Sequence, residues 1–122
     1  MVIIDTDIFI GALRDNAIAA KHLTQLKGKG YISVITELEL LVGAKTKSMK
    51  KQAEEIVSPF DKLKFNPQVY GIAKRLLKEY NSHTRSLYMP DALIAATALF
   101  TGFALLTFNT KDFKFIKGLK LR

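Results

Sequence analysis

The sequence predicts an α/β fold: a central, mainly parallel sheet flanked by helices, in one domain spanning residues 1–122. Three observations carry this. Short apolar runs of strand length, near residues 2–4, 31–35 and 103–107, alternate with longer helical stretches, the pattern of a sheet built from crossover units. The segment Pro90 to Phe113, PDALIAATALFTGFALLTFNTKDF, reads by itself as a helix, a turn, a strand buried on both faces and the start of another helix. Of the eleven acids, Asp5, Asp7, Glu37, Glu39, Asp91 and Asp112 all fall at or just after predicted strand ends, a skewed placement in a chain of net charge +8.

Taken in order, Val2, Ile3 and Ile4 form a β-branched run ending in Asp5, and after the Asp-Thr-Asp turn Ile8, Phe9, Ile10, Ala12 and Leu13 open a helix. Residues 17–27 make an amphipathic helix with Ile18, Leu23 and Leu26 inward, broken by the Gly-Lys-Gly at residues 28–30. A second strand over residues 31–35 leads to Thr36 as cap and a helix from Glu37, with Leu38, Leu41 and Val42 as its apolar stripe. Thr36 and Glu39 have the spacing of a capping box, which alone accounts for a carboxylate at Glu39. Lys45, Lys47, Lys50 and Lys51 are either a solvated face or a set of phosphate contacts, and the helix continuing to Val57 is closed by Pro59.

Leu63 to Phe65 suits a short edge strand, after which Pro67 opens a helix to about Asn81 with Val69, Ile72, Ala73, Leu76 and Leu77 on one face. Residues 82–89 form a polar loop holding His83, Thr84, Arg85 and Ser86 directly before Asp91, and Arg85 is either a phosphate contact or, as a lone charge on a loop, the commoner solvated cation. Pro90 then sets a first helical turn, Asp91 meets the helix's positive end, and Ala92 to Leu99 are apolar enough to be buried. Gly102 suits the left-handed position after a helix. Asn109 and Thr110 supply capping chemistry for another turn, placing Asp112 just beyond the strand's carboxyl end, and a last edge strand is expected at Leu119 to Leu121.

Composition excludes several chemistries. With no cysteine there is no disulfide and no thiol nucleophile, and His22 and His83 are too few and too far apart for the usual zinc site, so any metal must be held by oxygen ligands. No run approaches the roughly 18 apolar residues of a membrane span, and Asp5 and Asp7 interrupt the apolar start too early for a signal peptide, so a cytoplasmic protein is expected. The positive charge suggests a polyanion, most simply nucleic acid.

In open parallel sheets ligands bind at the carboxyl ends of the strands, where the acids were placed independently. Carboxylates crowded there repel one another unless cations neutralise them, and oxygen-only ligands select magnesium or manganese. An ion so held beside a basic surface suits phosphodiester hydrolysis.

At these residues the sequence resembles the PIN-domain ribonucleases of the VapC type, the toxin half of a bacterial or archaeal toxin–antitoxin pair. The matching pieces are VIIDTDIFI around Asp5, SVITELELLVGA with Thr36, Glu39, Leu40 and Gly43, then PDALIAATAL, LLTFNTKDF and a closing I-x-G-L-x-L. The resemblance implies a Mg2+- or Mn2+-dependent endoribonuclease whose Asp5, Glu39 and Asp91 carry the cation, with Asp112, preferred over Asn109 for its charge, as fourth acid. It also implies a cognate antitoxin, expected to be an acidic, amphipathic segment on the apolar helical faces of the first half, and a homodimer. Thr6, Thr107 and Asn109 are supporting candidates, whereas Asp7 and Glu37 are expected to point elsewhere, and Arg85 lies outside the catalytic set.

Two rival readings have distinct signatures. A haloacid-dehalogenase-like phosphatase would use Asp5-Thr6-Asp7 as its D-x-D nucleophile motif, but Phe9 departs from that pattern and 122 residues leave little room for a cap. A non-catalytic nucleic-acid or antitoxin-binding module would be expected to have lost acids that are here intact.

Overall fold

Alternation along the first strand sets the layering. In the computed structural model, which describes residues 1–122, β1 (Val2–Ile4) turns Val2 and Ile4 to one side of the sheet and Ile3 to the other. Val2 and Ile4 join a core with Ile8, Phe9, Leu23 and Ile32, while Ile3 joins Val69, Leu76, Ile94 and Leu105 in a second core on the opposite face. Each fully buried aliphatic or aromatic side chain contributes about 1.5–3 kcal/mol, so both faces of the sheet must stay covered by helices.

The chain supplies that cover in order. Helices α1 (Thr6–Leu13) and α2 (Ala17–Leu26) lead to β2 (Gly30–Ser33), and α3 (Val34–Gly43) and α4 (Lys47–Val57) lead to β3 (Asp61–Leu63). Then α5 (Pro67–Tyr80) and α6 (Met89–Thr101) lead to β4 (Ala104–Leu106) and a 3-10 turn (Thr110–Asp112). All strand pairs are parallel, in the order β3-β2-β1-β4, with Ile4 opposite Leu106. Order reverses between β1 and β4, so the crevice beyond their carboxyl ends is the switch point where such sheets bind ligands. No helix is long and apolar enough to cross a membrane.

The expected elements are present, with local differences that have physical causes. Ser33 caps α3 by accepting from the Ile35 amide at 3.2 Å, so the helix begins at Val34 and the strand stops at Ser33 rather than running to Ile35. That earlier start rotates α3 away from the expected stripe: Thr36 and Leu40 are buried, while Leu38 and Val42 are 52% and 74% exposed. On α2 it is Ala19, Leu23 and Leu26 that face the core, and Ile18 is exposed. The edge strand lies at Asp61–Leu63, two residues earlier than expected, because it pairs with Tyr31 to Ser33. At the far end Leu121 makes a single parallel bridge to Leu105 in place of a strand. Gly102 adopts the left-handed conformation, φ 75°, as expected.

Candidate active site

Asp5 is the N-cap of α1, and both its oxygens are held: Oδ1 accepts from the Thr6 amide at 2.8 Å and Oδ2 from the Thr107 hydroxyl at 2.7 Å. The strand end therefore runs straight into the helix, and the expected Asp-Thr-Asp turn is the first turn of α1. Asp5 is buried, and burial, the neighbouring charge of Asp7 and the more distant Asp91 push its carboxyl up to about 7, against the pull of its two hydrogen bonds.

Thr6 links α1 to α3. Its hydroxyl lies 2.7 Å from Glu39 Oε1 and 3.0 Å from Thr36 Oγ1; one proton serves the carboxylate and the Thr36 hydroxyl completes the chain. Thr36 is thus a buried member of the helix and no cap, and the capping-box account of Glu39 does not hold: its carboxylate turns toward the β1 end, held by a residue 33 positions earlier. Asp91 sits in the first turn of α6, whose N-cap, Tyr88, makes no side-chain bond. Burial lifts the Asp91 carboxyl to about 6, with repulsion from Glu39, Asp112 and Asp7 adding to it. Asp91 thus feels the charges of Glu39, Asp112 and Asp7, and Asp5 those of Asp7 and Asp91, without three of these acids meeting at one point.

Asp7 belongs to the same cluster and does not point elsewhere. Its Oδ2 accepts from the Phe108 amide at 3.0 Å and lies 3.2 Å from Thr107 Oγ1, which pins the turn after β4 to α1, and burial raises its carboxyl. The legible signal was its place two residues after an N-cap, where a helix's first turn favours a carboxylate. Glu37, by contrast, does face away, in an ion pair with Lys62 at 3.0 Å. Thr107 is buried between Asp5 and Asp7 and also accepts from the Asn109 amide at 3.0 Å. The Asn109 side chain is exposed and makes no cap bond; the turn is closed instead by the Asp112 amide on the Asn109 carbonyl at 2.9 Å.

The donor set is all oxygen, and one member, Asp7 Oδ1, is buried without a hydrogen-bond partner. A hard divalent cation fits such a set. No three acids or histidines converge on one point, so the residues present fit an ion held by one or two carboxylates with water filling the other positions. A covalent role for Asp5 fits poorly, since both its oxygens are hydrogen-bonded and its side chain is enclosed, which removes the basis of the phosphatase reading.

A family model described as the PIN domain matches residues 2–119. Over 128 aligned positions the chain is 38% identical to Ribonuclease VapC1 of Rickettsia felis, covering 98% of this chain and 93% of that protein. Among solved structures it resembles a toxin-antitoxin complex from Klebsiella pneumoniae, with a TM-score of 0.81 and 31% identity over 98% of this chain and 95% of the other. It also resembles VapBC2 from Rickettsia felis bound to a DNA fragment from their promoter, with a TM-score of 0.82 and 26% identity over 100% and 98% of the two chains. The acid-lined switch point and these matches over nearly the whole length agree: the chain belongs to the PIN-domain family and, within it, to the VapC ribonuclease group.

Proposed function

We propose that this protein is a metal-dependent endoribonuclease and the toxin of a toxin–antitoxin pair, acting in the cytoplasm on RNA. The observation that carries the reading is the mutual electrostatic influence of acids from separate segments, Asp5 and Asp7 with Asp91, and Asp91 with Glu39 and Asp112, in a chain whose net charge is +8. One or two carboxylates of the set Asp5, Glu39, Asp91 and Asp112 hold the ion, Mg2+ or Mn2+, with water filling its other positions, and Thr6 and Thr107 orient Glu39 and Asp5. When bound, the ion supplies Lewis acidity to the phosphodiester and makes a water more acidic.

The chain's own residues do the rest. Thr107 and the Thr6 amide fix the Asp5 carboxylate in one orientation, and Thr6 fixes Glu39, so the charges are in place before substrate arrives. Of the cations, only Lys62 and Arg75 are engaged with acids, which leaves the remainder for phosphates.

An apolar groove of about 240 Å³, lined by Ile10, Leu13, Leu40, Met49 and Ala53 with Glu39 and Arg14 on its wall, supports the antitoxin partner: an amphipathic segment laid there would reach the acids. A second apolar groove between α5 and α6, where Tyr70 and Met89 are exposed, supports the homodimer.

The test is cleavage of structured RNA by antitoxin-free protein in magnesium, in manganese and in chelator, with Asp5→Asn alongside. Cleavage that disappears in chelator and in the variant, while the variant keeps its circular dichroism spectrum, is the expected result. RNA left whole in both metals, with a small phosphate monoester hydrolysed, would overturn the reading.

A further inference from the structure

We propose that Arg85, stacked on Phe115, is a phosphate-binding station that holds the RNA backbone to one side of the acid cluster; this deepens the ribonuclease reading and rests on it. As sequence, Arg85 is a cation in a polar loop. In the fold it lies over an aromatic ring on an exposed loop. Its guanidinium carbon lies 4.4 Å from the Phe115 ring centroid, and Phe115 in turn packs on Tyr80 at 5.2 Å. The Tyr80 hydroxyl accepts from the Lys117 amide at 3.1 Å, so the aromatic platform is tied to the segment that follows the acid-bearing turn.

The loop beneath Arg85 is fixed as well. The Asn81 side chain donates to the Leu77 and Leu87 carbonyls and accepts from the Leu87 amide at 2.9 Å, Leu87 is buried, and the Ser82 amide donates to the Arg85 carbonyl at 2.9 Å. Stacking over a ring occupies the face of a guanidinium and leaves its N–H edge free, and that edge matches two oxygens of a phosphate. Arg85 has no acidic partner: the chain's ion pairs are Lys62–Glu37 and Arg75–Glu79. An arginine that is held in place and left unpaired has lost much of the entropy that binding would otherwise cost.

Position selects the ligand. Arg85 precedes Asp91 by six residues, a reach of at most about 20 Å, and Phe115 follows Asp112 by three. Lys111, Lys114 and Lys117 are exposed at every third position of that same segment, a repeating row of charge suited to a repeating polyanion. A strand lying along Arg85 and this row is led into the crevice where Asp91 and Asp112 stand.

The experiment measures binding of a fluorescent single-stranded RNA in chelator, across a salt series, for wild type, Arg85→Ala, Arg85→Lys and Arg75→Ala. Magnesium-dependent cleavage by the wild type is measured in parallel. Arg85→Ala is expected to weaken binding several-fold and to make the salt slope shallower by about 0.7, the value for one lost single-strand phosphate contact. Arg85→Lys should keep the slope and lose part of the affinity, because an ammonium lacks the planar fork. Arg75→Ala, which removes the same charge from α5, should follow the wild type. If Arg85→Ala binds RNA with unchanged affinity and slope while the wild type still cleaves, the station is overturned and the nuclease stands. The same holds if RNA binding is unchanged but affinity for an oligoglutamate probe falls, which would make the patch a protein-docking surface. A wild type that neither binds nor cleaves RNA removes both.

Discussion

The Thr107 hydroxyl donates to Asp5 Oδ2 at 2.7 Å across 102 positions of sequence, and this bond ties the carboxyl end of β4 to that of β1. It orients a buried carboxylate whose other oxygen is already taken by the Thr6 amide. Thr107→Val keeps the shape and deletes the bond. It is expected to cost about 1.5–3 kcal/mol, the range for a hydrogen bond to a charged group, and to raise the magnesium concentration needed for half-maximal cleavage. Urea unfolding and a magnesium titration of activity check the two effects separately; an unchanged magnesium requirement would mean that Asp5 is oriented by other contacts.

Asp91→Asn separates crowding from capping. Asp91 is disfavoured as an anion by burial and by Glu39, Asp112 and Asp7, and Tyr88, not Asp91, is the N-cap of α6. Removing its charge relieves repulsion in metal-free protein, so the apo variant should melt at or above the wild-type temperature while RNA cleavage is lost. A clear fall in melting temperature would indicate that Asp91 stabilises the helix start instead.

Stability should respond to pH in the direction opposite to that of ion-paired acids. Asp5 is held up to about 7 and Asp91 to about 6, against an ordinary value of 3.8, so the native protein retains protons that the unfolded chain has released. This contribution is therefore greatest at and below the ordinary carboxylate value, falls as pH rises from there to the two native values, and levels off above them. For buried Asp5 the loss at neutral pH is on the order of 4 kcal/mol. In chelator the melting temperature should drop between about pH 4 and about pH 7, and magnesium should restore it at the upper end while adding little at the lower. A melting temperature that climbs over this interval in chelator would contradict the crowded cluster.

Gly30 is fixed by space rather than by backbone conformation. A Cβ there would lie 2.8 Å from Ile4 Cδ1 and 3.1 Å from Phe60 Cδ1, inside the core beneath β1. Gly30→Ala should destabilise by about 1–3 kcal/mol through overpacking, measured by thermal or urea unfolding. Gly43→Ala, where nothing lies within 4 Å and α3 is ending, serves as the permissive control.

The alternation of strands and helices was readable because short β-branched runs, glycines and capping residues punctuate the chain at nearly every boundary. Asp5, Glu39, Asp91 and Asp112 stood out as acids at or after expected strand ends, and Asp91 feels the charges of Glu39, Asp112 and Asp7. What sequence reasoning misplaced turns on single caps. Reading Thr36 in place of Ser33 as the start of α3 shifted its helical face, turned Leu38 and Val42 inward, and explained Glu39 by a capping bond it does not make. Treating Asp-Thr-Asp as a turn instead of the entrance to α1 sent Asp7 away from the crevice it occupies. The contact of Arg85 with Phe115 was not legible for a different reason: Phe115 is 30 residues away and no local pattern announces it.

The parallel pairing of β1 with β4 also orders events in time. Thr107, which orients Asp5, and Asp112 follow it by more than a hundred residues. Pairings so distant in sequence form late in folding. A chain still being synthesised can thus collapse α1, α2 and β2 onto one another without possessing a complete acid cluster. The Asp5–Thr107 bond is therefore closed only when β4 docks beside β1.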